Sequence, residues 1–187
     1  GFYSGLGCCH YVANRGLGWC SCWYLHGAFC GPLLLPFCDE VYVSCREDQP
    51  LTFGENPKVL GLFDQPAHAG RGPMSGMLSY LNHCSVNQTI ATTNGLLLLG
   101  CDYRKMTEET LGRLVAVGQT QGRICCYQNH ITGFIEPLVA YYPAEILQQV
   151  PEFAKENSSL RQFVEAHNPC ILPTDIQTLQ TLRSFDQ

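Results

Sequence analysis

The sequence is short of charge. Of its 187 residues only 14% are aspartate, glutamate, lysine or arginine, and the formal net charge is -5. Its 11 lysines and arginines are spread along the chain, which excludes the clustered basic footprint that nucleic-acid backbones require. A small-molecule partner is expected instead. An acidic balance is no obstacle to nucleotide binding, because backbone amides and a divalent cation neutralise phosphates locally. A signal-peptide pattern is also absent, so a cytoplasmic setting is expected. Residues 16–38 carry no formal charge, but Gly16, Gly18, Ser21, Gly27, Pro32 and Pro36 interrupt the stretch too often for a helix in lipid. No membrane association is expected. The chain has no G-x-x-x-x-G-K-[ST] run. Gly5-Leu6-Gly7 and Gly16-Leu17-Gly18 open like a dinucleotide fingerprint, yet His10 and Ser21 occupy the third glycine position, which disfavours both a P-loop enzyme and a Rossmann dehydrogenase.

Cysteine, by contrast, is abundant, with 12 residues. The length fits one domain over residues 1–187, large enough to bury a core without a disulfide scaffold, so the thiols are expected to be mostly reduced. Cys20, Cys22, His26 and Cys30 offer four soft ligands, but C-x-C-x3-H-x3-C is not a usual zinc spacing. Adjacent Cys125 and Cys126 are expected to face opposite sides of a sheet. A cysteine nucleophile at Cys84 or Cys101, served by His83 or His130, is the weaker catalytic alternative, since no base is positioned beside either thiol. The sequons at Asn87 and Asn157 are read as coincidental.

From Asp39 onward strand-like and helix-like segments alternate, which predicts an α/β domain with helices on both faces of a sheet. Val41 to Cys45 and Val59 to Phe63 read as strands, the second ending on Asp64. Leu96 to Leu99 form a continuous apolar run that leads through Gly100 and Cys101 to Asp102. Such a run fits a fully covered central strand of a parallel sheet, whose ligands bind beyond its carboxyl end. Between the two aspartates, Gly70-Arg71-Gly72-Pro73 leads into a helix with Met74, Met77, Leu78 and Leu81 on its buried face. Thr107 caps a helix predicted to run through Val117 and stop at Gly118. Ile124 to Tyr127 and Phe134 to Tyr142 read as a hairpin joined through Asn129 to Gly133. Helices follow at residues 144–150 and 159–166, then a polar tail from Pro173. Two strand-end carboxylates flanking a glycine-rich loop suit magnesium-assisted phosphoryl or nucleotidyl transfer, because magnesium binds through one or two acids plus substrate phosphates.

Five stretches resemble the molybdenum cofactor guanylyltransferases, nucleotidyltransferases of nucleotide-diphospho-sugar transferase-like fold. Asp64 with Gly72-Pro73-Met74-Ser75-Gly76-Met77-Leu78 resembles the family's D-x(n)-G-P-L-A-G-[IM]-L segment, and Leu97-Leu98-Leu99-Gly100-Cys101-Asp102 its strand ending in C-D. Glu136 to Tyr141 resembles the substrate-side strand and Ser159 to Phe163 the later helix. Ser184-Phe185-Asp186 resembles the start of the N-T-P-E-D element. The resemblance, over roughly residues 36–187, implies a three-layer, Rossmann-like αβα fold with a mostly parallel sheet. It implies transfer of GMP from GTP to molybdopterin with release of pyrophosphate. Asp102 would hold Mg2+ and contact the nucleotide, Asp64, Gly72 and Pro73 would bind the nucleotide, and Arg15 aligns with the arginine of the phosphate loop. Molybdoenzyme apoproteins or their chaperones are implied partners. The family's L-x-A-G-G-x-S-x-R-M-G-x-D-K run has no counterpart: Trp19 and Cys20 stand at the aspartate and lysine positions, and Cys45 at that of an asparagine. Residues 1–35 are therefore read as an anomalous segment, expected not to be the domain's own coding. The alternatives are a nucleotidyltransferase using CTP or a sugar phosphate, and a catalytically inactive nucleotide-binding protein.

Overall fold

The computed structural model describes residues 10–14, 33–45, 57–87, 94–100, 103, 105–129 and 132–182. Strands β1 (His10–Asn14), β2 (Glu40–Cys45), β3 (Val59–Phe63), β4 (Gly95–Gly100), β5 (Cys125–Gln128), β6 (Ile135–Pro143) and β7 (Cys170–Leu172) form one sheet in the order β3-β2-β1-β4-β6-β5-β7. The helices are α1 (Pro73–Val86), α2 (Glu108–Gln121), α3 (Ala144–Leu147), α4 (Val150–Glu156), α5 (Leu160–Ala166) and α6 (Ile176–Thr181). Strands β2, β3, β4, β5 and β7 share one direction, and β1 and β6 run against them. The carboxyl ends of β2, β3 and β4 therefore lie on one edge of the sheet.

Side-chain alternation along the strands builds a core on each face. Leu96 and Leu98 pack with Met74, Met77 and Leu81 of α1 and with Phe163 of α5. Leu97 and Leu99 pack with Leu111 and Leu114 of α2 and with Leu182. Three αβα layers result. Cys126 joins the first core and Cys125 the second, so the adjacent thiols do face opposite sides. Every residue of β4 is buried, but both its neighbours, β1 and β6, are antiparallel to it. An unbroken apolar run reports helices on both faces and is blind to the direction of the adjoining ladders.

Thr107 caps α2, its hydroxyl accepting from the Thr110 amide at 3.3 Å. The helix passes Gly118 and ends at Gly122, in the left-handed conformation at φ 59°. Gly118 serves packing instead of termination. A Cβ there would lie 2.1 Å from Cδ1 of Tyr141, and one at Gly95 would lie 2.3 Å from the Tyr141 hydroxyl oxygen. Tyr141 of β6 thus threads between a helix glycine and a strand glycine, and its hydroxyl donates to the Asn94 carbonyl at 3.0 Å. The predicted helix over 144–150 is divided, because Pro151 stands in the first turn of a new helix, α4. The stretch after Pro173 is no polar tail. Asp175 caps α6 by accepting from the Thr178 amide at 2.6 Å, and Thr178, Thr181 and Leu182 are buried. The predicted hairpin is β5 and β6, closed by Asn129 N–H to the Phe134 carbonyl at 2.8 Å.

Candidate functional site

The edge where β2, β3 and β4 end is built from short polar contacts. Asp64 follows β3, and the Ser44 hydroxyl of β2 donates to its Oδ1 at 2.6 Å, which orients the carboxylate. The chain then reaches Gly70 at φ 80° and Gly72 at φ 56° and ψ -136°. At Gly72 that conformation is one only glycine adopts without strain. Pro73, with no N–H to leave unsatisfied, starts α1.

Two serines of α1 hold this loop. The Ser75 hydroxyl donates to the His68 carbonyl at 2.5 Å and accepts from the Arg71 amide at 3.1 Å. The Ser79 hydroxyl donates to the Ser75 carbonyl at 2.9 Å and accepts from the Gln65 amide at 3.0 Å. The chain from Gln65 to Arg71 is thereby fastened to the helix it precedes. Sequence reasoning took α1 as an apolar face and missed both serines. The available signal was two hydroxyls at i and i+4 just inside a helix start.

Next to this loop lies a cleft of about 690 Å³. Its lining includes Pro73 of α1, Tyr103 after β4, Glu136 and Leu138 of β6, and Ser159 and Arg161 at the start of α5. Representatives of four of the five resembling stretches, or in one case the residue just after it, meet there although they are far apart in sequence; the fifth, Ser184 to Asp186, lies outside the described residues. The Tyr103 hydroxyl donates to Glu136 Oε2 at 2.7 Å. The Arg161 guanidinium lies 4.2 Å from the centroid of the half-exposed Phe134 ring, a cation–π contact at the cleft mouth.

Asp64, Gly72 and Pro73 are thus placed at or beside this edge. Asp102 and Arg15 lie outside the described residues. The strands that precede the two aspartates are not neighbours: β2 and β1 stand between β3 and β4. At about 4.8 Å per strand spacing the ends of β3 and β4 are on the order of 14 Å apart. Strand β1 departs from the expected pattern too. It ends at Asn14, paired with Glu40 at the amino end of β2, so the chain leaves β1 at the edge opposite Asp64.

The cysteine alternative finds no support at Cys84, which is fully buried in the core. His83 lies edge-on to Tyr42, with Nε2 3.2 Å from the Tyr42 hydroxyl. Burial pushes the Cys126 thiol up to about 12, with Cys170 and Glu136 adding to the shift. Among the described residues no three His, Cys, Asp or Glu side chains gather as a metal site. Cys20, Cys22, His26, Cys30, Cys101 and His130 lie outside the described residues, and no described helix is long and apolar enough to cross a membrane.

An α/β sheet flanked by helices, with a glycine-rich loop and a polar cleft beyond its strand ends, is the architecture of a ligand-binding protein of the open α/β class. A family model described as the MobA-like NTP transferase domain matches residues 32–170, and the chain belongs to that family. The match leaves residues 1–31 outside it. The chain is similar to a probable molybdenum cofactor guanylyltransferase of Methanocaldococcus jannaschii, 26% identical over 111 residues that cover 57% of this chain and 51% of that protein. It is also similar to a molybdenum cofactor biosynthesis bifunctional protein of Synechocystis, 31% identical over 127 residues that cover 66% of this chain and 33% of that protein. The chain therefore spans about half and a third of these curated relatives. No solved structure matches it.

Proposed function

We propose that this chain is a nucleotidyltransferase that moves GMP from GTP to molybdopterin and releases pyrophosphate. The observation that carries the reading is the convergence of Pro73, Tyr103, Glu136 and Ser159 on one cleft at the carboxyl edge of the sheet. The family and the names of the two relatives support the reaction class. In this reading the terminal phosphate of the acceptor attacks the α-phosphorus of GTP. The amides of Gly70 and Gly72 approach the phosphates closely, because glycine places no side chain in the way, while the Arg71 amide is held by the Ser75 hydroxyl. Asp64, oriented by Ser44, contacts the nucleotide, and the cleft walls hold the acceptor in line with it. The work is positioning and charge neutralisation.

Magnesium is the ion this reading implies, since carboxylates together with substrate phosphates suit it; Asp64 is the described carboxylate beside the glycine loop. Asp102 would hold the ion, which neutralises the phosphates when bound. Pyrophosphate release with molybdopterin and GTP, compared with CTP and ATP, tests the reading. Release with GTP and magnesium supports it; release only with CTP or a sugar phosphate transfers the chain to another nucleotidyltransferase class.

One observation favours a second reading, a nucleotide-binding protein that turns over slowly or not at all. Strand β1 runs antiparallel to β4, and the lysine of the family's phosphate loop has no counterpart. Binding of GTP without pyrophosphate release would select this reading.

A further inference from the structure

Pro73 and the stretch around Ser159 form two walls of the cleft, and hydrogen bonds at Arg71 and Asn157, with the backbone of α4 between them, join the two. Both ends of Arg71 are pinned. Its amide donates to the Ser75 hydroxyl at 3.1 Å, and its Nη1 donates to the carbonyl of Ala154 at 2.5 Å. Ala154 lies in the last turn of α4, where carbonyls have no amide within the helix and a cation is favoured by the helix dipole. The same helix ends at Asn157. The Asn157 side-chain oxygen accepts from the Ser159 amide at 2.8 Å, and its side-chain nitrogen donates to Gln162. The Ser159 hydroxyl in turn caps α5. From Arg71 to Gln162 the path runs through the two bonds of Arg71, the backbone of α4 from Ala154 to Asn157, and the Asn157 side-chain bonds to Ser159 and Gln162.

We propose that Arg71 is a positioning residue that fixes the loop wall of the cleft relative to the α5 wall. The inference rests on reading the cleft as the transfer site for its catalytic consequence, but not for its structural one. If the two reactants are held by different walls, loosening the walls leaves each bound and misplaces one against the other, and a misplacement of about 1 Å costs up to about 100-fold in rate.

Two measurements on the full chain test this. In hydrogen exchange, Arg71→Ala is expected to speed exchange at both residues 72–76 and residues 157–162, with Arg71→Lys restoring much of the protection. A change confined to 72–76, or no change, overturns the proposal. In kinetics with GTP and molybdopterin, Arg71→Ala is expected to lower kcat by about 10- to 100-fold with both KM values within about threefold. A raised KM at unchanged kcat makes Arg71 a binding residue and overturns it. Should Arg71→Ala fail to fold, Asn157→Ala breaks the same path at its other end and is expected to give the same kcat loss; unchanged kcat there overturns the proposal. If the wild-type chain shows no turnover, the transfer reading has failed and the exchange experiment alone decides the role of Arg71.

Discussion

The two faces of the sheet use the same residue type for opposite reasons. On the face covered by α1, α4 and α5, a Cβ added at Gly72 would meet nothing within 4 Å, and the glycine is there for its backbone conformation. On the face covered by α2 and α6, a Cβ at Gly118 would strike the Tyr141 ring. The first face leaves open space at a loop and supplies a cleft; the second closes space and supplies stability. Its bonds fit that role: the Tyr127 hydroxyl donates to the Thr110 carbonyl at 2.9 Å, and Arg113 donates to the Pro173 carbonyl at 3.2 Å. The difference separates a glycine that marks a site from one that marks a tight contact.

Gly118→Val should give the largest effect, since the valine must displace a buried tyrosine. A loss of about 3 kcal/mol is expected in denaturant unfolding, with nucleotide binding unchanged while the chain is folded. A loss under about 0.5 kcal/mol would mean that this face is not tightly closed.

Gly72→Ala should cost about 2 kcal/mol of backbone strain and, unlike Gly118→Val, should weaken GTP binding measured at a temperature where both variants are folded. Equal GTP affinity in both variants would erase the contrast between the faces.

The caps come next. Thr107→Ala should cost about 1 kcal/mol and Asp175→Ala should also lower stability through loss of its cap, both leaving GTP affinity as it was. Asp175 adds a pH signature. The amide and hydroxyl of Thr178, chiefly the amide, hold its carboxyl below the ordinary value, so its contribution is present above the unfolded carboxylate range and is lost as pH falls through the lowered one.

The smallest effect near neutrality is on the alkaline side. Burial raises Cys126 from 9.0, and Tyr127 and Tyr141 from 10.0, each to about 12. The unfolded chain loses these protons first, so the stability is intact below about pH 9 and lost as pH rises toward 12. Urea midpoints at pH 8 and 10.5 should differ, the latter being lower. Because Cys126 lies in one core and the two tyrosines in the other, exchange should quicken on both faces; quickening on one face alone would refine which core titrates.

Much of the architecture was legible because it rests on local signals. The strands before Asp64 and Asp102, the Pro73 helix start, the Thr107 cap and the hairpin at Asn129 to Gly133 each combine a hydrophobic pattern with a turn or cap residue. What escaped depends on partners distant in sequence. Gly118 looked like a stop because its partner is Tyr141. Strand β7 has only three residues and exists through β5, and α6 is held by Thr110 and Arg113 of α2. At the site, the strand-end position of Asp64 and the Gly70–Pro73 loop were visible as a pattern. Ser44, Ser75, Ser79 and Arg71 were not, since their roles are hydrogen bonds that no periodicity announces.

The open face is expected to bind a nucleotide at the carboxyl edge of the sheet, and thermal unfolding with GTP and magnesium tests this most directly. With GTP at 100 times its Kd the wild-type chain is expected to gain about 2.7 kcal/mol, Asp102→Asn and Asp64→Asn to lose most of that gain, and Thr107→Ala to keep it. No stabilisation by GTP, or an equal gain in Asp64→Asn and Asp102→Asn, would contradict it.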